Sequence, residues 1–221
     1  IPRGSNQLIQ MVRSQATVPV IETGAGVCHA YVAATANLDK AAQIVLNAKL
    51  QRTGVCNALD TIIVHESITA EFLPKILSEF AEHQVEMHAD PQSYALLQQS
   101  NYKFLVSAEE EDFGREYLGY GCSVKTVADT DIALNHIRQF SSQHTEVIVS
   151  EDKAECERFL QEVDAASVMS NASSRFTDGE VFGLGAEMGI STQKLHARGP
   201  FGIDKLVTEK WIVRGDGHVR G

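Results

Sequence analysis

Apolar residues recur along the chain with two alternating periods. Leu8, Ile9 and Val12 form one face of a short helix over 5–13, capped by Ser5. Val18-Pro19-Val20-Ile21 reads as a short buried strand that runs into Glu22-Thr23-Gly24-Ala25-Gly26, a glycine-rich turn. A further strand follows over 29–32. Asn37 then caps a helix whose apolar stripe is Leu38, Ala41, Ala42, Val45 and Leu46. Thr61-Ile62-Ile63-Val64 is apolar on both faces, as central parallel strands are. Phe72, Leu73, Ile76, Leu77 and Phe80 mark a helix, 85–88 a strand, and Pro91 opens a short helix. Strands over 103–107, 123–127, 146–149 and 166–169 alternate with helices over 131–140 and 154–163. The alternation predicts an α/β fold: an open, largely parallel sheet flanked by helices.

After Ser170 the texture changes. Residues 171–179 are polar and turn-rich, and 182–192 are rich in glycine. A segment of this kind inside a domain is usually functional or wraps over a site. The end of the chain, 208–214, reads as a strand holding the only tryptophan, Trp211, and as an edge that pairs with another chain.

Composition narrows the field. The chain has 221 residues, a formal net charge of -10, 43% hydrophobic and 22% charged residues, the profile of a globular protein with a sizeable core. The acidic balance disfavours nucleic acid and anionic membrane surfaces as partners. No apolar run approaches the roughly 20 residues of a membrane span, and no basic stretch leads into an apolar one at the start. The four cysteines, Cys28, Cys56, Cys122 and Cys156, are widely spaced without a CxxC, so reduced thiols and a cytoplasmic setting are expected. The histidines give no HExxH, and no metal site is expected. Ile1-Pro2-Arg3-Gly4-Ser5 reads as the middle of a longer protein.

Chemistry concentrates at Lys49-Leu50-Gln51-Arg52-Thr53-Gly54-Val55-Cys56-Asn57-Ala58. Cys56 follows a glycine in a turn between an amphipathic helix and a hydrophobic strand. A thiol there can meet a ligand, and backbone N–H groups with a cation such as Arg52 would lower its pKa toward the thiolate. The plain alternative is a small buried hydrophobe. Gly183 to Gly189 reads GxGxxxG, but Glu180-Val181-Phe182 is a poor strand and the acids near there sit in a loop, so a tight surface loop is the better reading. Glu22 at a strand end is a possible acid or base and equally a surface charge. Arg175 and Arg198, each among turn residues, can clamp an anion or brace the loop.

Together these features resemble a family. Gly4-Ser5, Val20-Ile21-Glu22-Thr23-Gly24, Gly54-Val55-Cys56, Asn171 with Phe176 and the Phe-Gly-x-Gly at Phe182 follow the motif order of the aldehyde dehydrogenase superfamily. Gln51-Arg52 before Val55-Cys56-Asn57-Ala58, His144-Thr145-Glu146, Asn171-Ala172-Ser173-Ser174-Arg175-Phe176-Thr177-Asp178-Gly179 and Gly189-Ile190-Ser191-Thr192 through His196-Ala197-Arg198-Gly199-Pro200 resemble its branch of γ-glutamyl phosphate reductases of proline biosynthesis.

The resemblance implies an aldehyde dehydrogenase-like catalytic domain and NADPH-dependent reduction of γ-glutamyl phosphate to glutamate 5-semialdehyde. Cys56 stands at the nucleophile's position and would form a thioester. Its backbone N–H is one donor for the oxyanion. Gly4, Ser5, Glu22 and Glu116 would face NADP(H), although Glu-Thr-Gly-Ala replaces the family's Glu-Leu-Gly-Gly at Glu22. Arg52, Asn57, Ser173, Ser174, Arg175 and Arg198 would hold the substrate. The implied division is 1–33, the tail of the dinucleotide-binding domain; 34–203, the catalytic domain; and 204–221, a strand suited to oligomerisation. A homo-oligomer and association with glutamate 5-kinase are the implied partners. The family's chains are about twice as long, so this chain alone should bind NADPH weakly. A thioester-forming acyltransferase or thiol hydrolase is the alternative, as is a non-catalytic oligomerisation piece; His65, nine residues from Cys56 across a strand, is a poor partner base.

Overall fold

A computed structural model describes residues 1–4 and 6–221. Seven strands form one sheet: β1 His29–Val32, β2 Thr61–His65, β3 Glu86–Ala89, β4 Leu105–Ser107, β5 Gly121–Val127, β6 Thr145–Val149 and β7 Ser167–Ser170. Their order is β4-β3-β5-β2-β1-β6-β7, and every neighbouring pair is parallel. The helices are α1 Asn6–Gln15, α2 Leu38–Leu50, α3 Glu66–Phe72, α4 Pro74–Glu82, α5 Pro91–Gln99, α6 Thr130–Phe140 and α7 Lys153–Glu162. A small antiparallel pair, β8 Gly189–Ser191 with β9 Gly199–Phe201, stands apart from the main sheet.

The side-chain period of two explains why the central strands are apolar throughout. Ala30, Val32, Ile62 and Val64 face a core made with Ala41 and Val45 of α2, Phe72, and Ile76 and Phe80 of α4. Tyr31, Ile63 and Ile148 face the other way, onto Leu134 and Ile137 of α6 and Phe159 of α7. Burying one such aromatic or aliphatic side chain contributes about 1.5–3 kcal/mol, so two filled faces hold the sheet rigid beneath the loops.

Several expectations need correction. Residues 18–21 form no strand, and Val18 is 68% exposed. No neighbouring strand offers them a ladder, and the Glu22 N–H is taken instead by the Gln193 side chain at 2.9 Å. The single helix over 72–80 is two, because Pro74 has no N–H to continue α3 and starts α4 at its first position. Residues 208–214 form no strand either, and Trp211 is 89% exposed. β1 lies at the centre of the sheet, between β2 and β6. Ser5, expected as a helix cap and a cofactor contact, lies outside the described residues.

Candidate active site

Cys56 sits at the amino edge of the sheet, in the connection from α2 to β2. The Ala58 N–H donates to the Val55 carbonyl at 3.0 Å, so Val55-Cys56-Asn57-Ala58 is a β-turn with the cysteine at its second position. The stem of this connection is closed by Leu59 N–H to the Ala48 carbonyl at 3.0 Å and by the buried Lys49 ammonium on the Leu59 carbonyl at 2.8 Å. Cys56 is half-buried, while Cys28, Cys122 and Cys156 are buried. Of the four thiols it is the one a reagent can reach.

Its electrostatics differ from the expected thiolate. Burial pushes the Cys56 thiol up to about 11, and the carboxylates of Glu187 and Glu116 push the same way. The cation that opposes them is Arg175, not Arg52. The missed neighbours are therefore the two carboxylates. Glu187 is tethered by the Gly179 N–H at 2.8 Å, and a side chain at Gly179 would run into its Cβ at 2.7 Å. Glu116 accepts the Gly26 N–H at 2.9 Å. A glutamate inside a glycine-rich surface stretch carries no sequence signal of this proximity; the glycines at 179 and 26, both needed for close approach, do.

Long-range hydrogen bonds lock the surrounding loops together. A Cβ on Gly26 would lie 1.9 Å from the Cys56 carbonyl oxygen, so only glycine lets the chain entering β1 pass this close. The buried Asp60 carboxylate accepts the N–H groups of Tyr117 at 2.9 Å and Cys28 at 3.3 Å, tying the Glu116 loop to the entry of β1. Burial raises Asp60 to about 6, with Lys49 acting against that rise. The segment after β7 returns to the same edge. There the Asn57 amide donates to the Thr177 carbonyl at 2.9 Å, and the Ser174 hydroxyl donates to the Asn57 carbonyl at 2.7 Å.

These contacts sort the expected substrate residues. Asn57 and Ser174 are buried, and the groups just named clasp one loop to the other rather than face a ligand. Ser173 caps the turn Ser174–Phe176 by accepting the Arg175 N–H at 3.3 Å. Among the described residues Arg175 is hydrogen-bonded through Nε, to Gln51 at 2.9 Å, and its Nη groups have no such partner. Together with Gln43, Asn47, Gln51, Ser173 and Phe176, it lines a groove of about 420 Å³ between α2 and the returning segment. Arg52 is exposed at the end of α2, within electrostatic reach of Arg175.

Other expected residues stand elsewhere. Arg198 donates to Asp164 at 2.7 Å, and Lys194 pairs with the same carboxylate, which braces 194–198 against the turn before β7. Glu22 pairs with Arg13 at 3.2 Å. Gly4 is exposed with φ at +132°, packed only near Leu8. In the Gly183–Gly189 stretch, Gly183 and Gly185 have positive φ in a run of turns without the strand and helix of a dinucleotide loop. Among the described residues this stretch supplies no cradle for a dinucleotide pyrophosphate. Among the described residues no cluster of His, Cys, Asp or Glu is arranged to hold a metal ion.

Comparison with known proteins agrees with this geometry. A γ-glutamyl phosphate reductase of Francisella philomiragia is 52% identical over all of this chain, which covers 52% of that protein. Among solved structures, γ-glutamyl phosphate reductase of Thermotoga maritima superposes with a TM-score of 0.91 at 46% identity, covering 100% of this chain and 52% of its own. The Saccharomyces cerevisiae enzyme of the same name gives a TM-score of 0.55 at 31% identity over 83% of this chain and 45% of its own. The chain spans about half the length of the curated relatives it matches. The signature of the Aldehyde dehydrogenase family matches residues 3–115, half of the sequence, and the chain belongs to that family.

Proposed function

We propose that this chain supplies the nucleophile and part of the substrate groove of a reductase that converts γ-glutamyl phosphate to glutamate 5-semialdehyde and phosphate. The observation that carries the reading is Cys56, the accessible thiol, held in a β-turn within electrostatic reach of Arg175, which lines the groove. The Cys56 sulfur attacks the acyl carbon as its proton passes to the departing phosphate, and the carbon–oxygen bond to phosphate breaks with its electron pair leaving on phosphate. The product on the enzyme is a γ-glutamyl thioester. NADPH, when bound, would supply the hydride that reduces this thioester; the carbon–sulfur bond then breaks, the aldehyde leaves and the Cys56 thiolate is returned. The Cys56 backbone N–H steadies the oxyanion. Glu116 is suited to a ribose hydroxyl of the cofactor.

The charges around Cys56 fit this substrate. Arg175, with its free Nη groups, suits a phosphate or carboxylate. Glu187 suits the α-ammonium, which in an extended glutamyl chain lies about 5 Å from the acyl carbon, four bonds away. An ammonium there would also offset one of the two carboxylates that, after burial, hold the thiol protonated. Arg198, held by Asp164, is a brace in this reading. Glu22 with Arg13, and Gly4, give no contact that favours a cofactor role. Assembly as a homo-oligomer, association with glutamate 5-kinase and cytoplasmic residence remain part of the proposal; among the described residues no helix is long and apolar enough to cross a membrane.

In a full-length reductase carrying this sequence, Cys56→Ser should abolish both reduction of the acyl phosphate and the reverse, phosphate-dependent oxidation of the aldehyde. Turnover near that of the unsubstituted enzyme would rule the mechanism out.

A further inference from the structure

The His144-Thr145-Glu146 motif and the buried Cys28 take no part in the chemistry above, yet they meet behind the nucleophile. The Cys28 sulfur is fully buried, 3.3 Å from the Cys56 carbonyl oxygen and 3.8 Å from Nδ1 of His144. Its own position is fixed by three backbone bonds. Its N–H goes to Asp60, and its carbonyl accepts the N–H groups of Asp60 at 3.0 Å and Thr61 at 3.1 Å.

The protons around it can be assigned. The Thr145 hydroxyl donates to the Thr177 hydroxyl oxygen at 2.9 Å, so it must accept from His144 Nδ1, 2.8 Å away. Burial lowers His144 to about 4, so at neutral pH the ring is uncharged and its one N–H is at Nδ1. That nitrogen then has no lone pair for the Cys28 thiol. Burial also pushes Cys28 well up and keeps it as S–H. The Cys28 S–H points to the Cys56 carbonyl at 3.3 Å, with the Thr145 hydroxyl a second polar neighbour of the sulfur.

This carbonyl belongs to the central peptide of the turn, the one that rotates when a β-turn changes from type I to type II. Positive φ, which type II needs at the third position, occurs at Gln84, Asn101, Leu118, Gln143 and Asn171 but not at Asn57. Asparagine tolerates positive φ better than most residues, so the sequence leaves the flipped turn open. A flip would turn the Cys56 carbonyl away from Gly26 and Cys28, and the Asn57 N–H into its place.

We propose that Cys28 is a positioning residue for Cys56: its thiol holds the Cys56 carbonyl and so selects the turn conformation in which the nucleophile reacts. Gly26 leaves room for that oxygen, and the Cys28 S–H binds it. The thiol acts as a weak donor that stays protonated, so it orients the turn without adding charge next to the nucleophile.

The role deepens the proposed reductase chemistry and rests on it for its kinetic consequence, but not for its effect on Cys56 reactivity. The test compares Cys28→Ala, which loses the donor, with Cys28→Ser, which keeps one, in a full-length reductase carrying this sequence. Two quantities are read: the rate of Cys56 alkylation by iodoacetamide, located by peptide mass, and kcat and KM for the semialdehyde in the phosphate-dependent direction. Cys28→Ala should slow alkylation and lower kcat, each about ten- to a hundredfold, the loss that misplacement of a reacting group brings, with KM nearly unchanged. Cys28→Ser should restore both to within about threefold of the parent. Should the parent show no activity, the reductase reading fails, while the alkylation rates still decide the role of Cys28. Equal losses in the two variants, or unchanged alkylation and kcat in both with only a lower Tm, would overturn the proposal. If Cys28→Ala does not fold, Cys28→Ser decides: retained alkylation and kcat uphold the donor role, and loss of both in a folded protein refutes it.

Discussion

The two edges of the sheet are made by the same seven strands and are used in opposite ways. At the carboxyl edge the helices begin, and side chains already bind their first N–H groups: Asn37 for α2, His65 for α3, Asp90 for α5, Asp129 for α6 and Asp152 for α7. Open α/β sheets commonly bind ligands at this edge, at the switch point between strands, on free helix N-termini. Here that switch point lies between β1 and β6, and its two helix starts are occupied, by the Asn37 amide and by the Asp152 carboxylate, which would repel an anion. At the amino edge the chain enters the strands. Gly26, Cys56, Glu116 and His144 sit just before β1, β2, β5 and β6, and Thr177 returns to join them. The carboxyl edge is closed by these caps and by bonds between its loops and strand ends, such as Thr35 with Ser150 and the Thr126 N–H with the Asp90 carboxylate. The amino edge is interlocked by bonds between residues far apart in sequence, which leaves one thiol accessible in a fixed turn.

Substitutions at the two edges should therefore separate stability from activity. The largest effect is expected for Gly26→Ala. Its Cβ would meet backbone atoms of Cys56, among them Cα at 2.8 Å, so one of the two segments must move. Overpacking of this kind costs about 3 kcal/mol, and a displacement of about 1 Å at the nucleophile lowers turnover about a hundredfold. Urea unfolding and kcat of the full-length reductase measure the two, and a Gly26→Ala enzyme with parental kcat would break the comparison.

The buried histidines of the amino edge come next. Burial lowers His144 to about 4 and His136 to about 3. Both bind a proton more readily unfolded than folded, so their contribution is fully present above about pH 6.5 and is lost as pH falls toward 4. Unfolding free energy should decline over that window by about 2–3 kcal/mol from His144. His144→Gln should flatten the decline measured by urea unfolding at pH 5 and pH 7; an identical slope would show that His144 is not the group responsible.

At the carboxyl edge, Asp152→Ala removes a cap that binds the N–H groups of Ala154 and Glu155. It should cost about 1 kcal/mol and leave kcat and KM at parental values. A fall in kcat would mean that the carboxyl edge takes part in catalysis after all. The smallest effect is expected for Arg198→Lys, which keeps the charge on Asp164 but loses the guanidinium fork. An ion pair this exposed contributes about 0.5 kcal/mol, and KM for the substrate should not change. A several-fold rise in KM at constant kcat would return Arg198 to the substrate site.

Much of the fold was legible in the sequence because strand and helix periods are local. The run 61–64 lies in a parallel strand buried on both faces, and the Asn37 helix begins at its cap. The failures share one physical reason. A strand needs a neighbour, and residues 18–21 and 208–214 have β-forming sequences without one. Cys56 was legible from its glycine, its turn and its resemblance to a family motif. Its surroundings were not. Glu187 lies 131 positions away, and the Asn57–Thr177 and Cys28–Cys56 contacts span 120 and 28 positions. Ser174 and Asn57 fit the composition of a substrate site, and in the fold they join the two loops through a buried clasp that sequence alone does not reveal.

The central claim, that Cys56 carries the acyl group, is tested most directly by trapping the intermediate. A full-length reductase carrying this sequence is incubated with glutamate 5-semialdehyde and NADP in the absence of phosphate, quenched in acid and digested. The account predicts a γ-glutamyl adduct on the peptide containing Cys56, released by hydroxylamine or by added phosphate and absent in Cys56→Ser. An adduct on another residue, or phosphate-dependent oxidation that persists in Cys56→Ser, would contradict it.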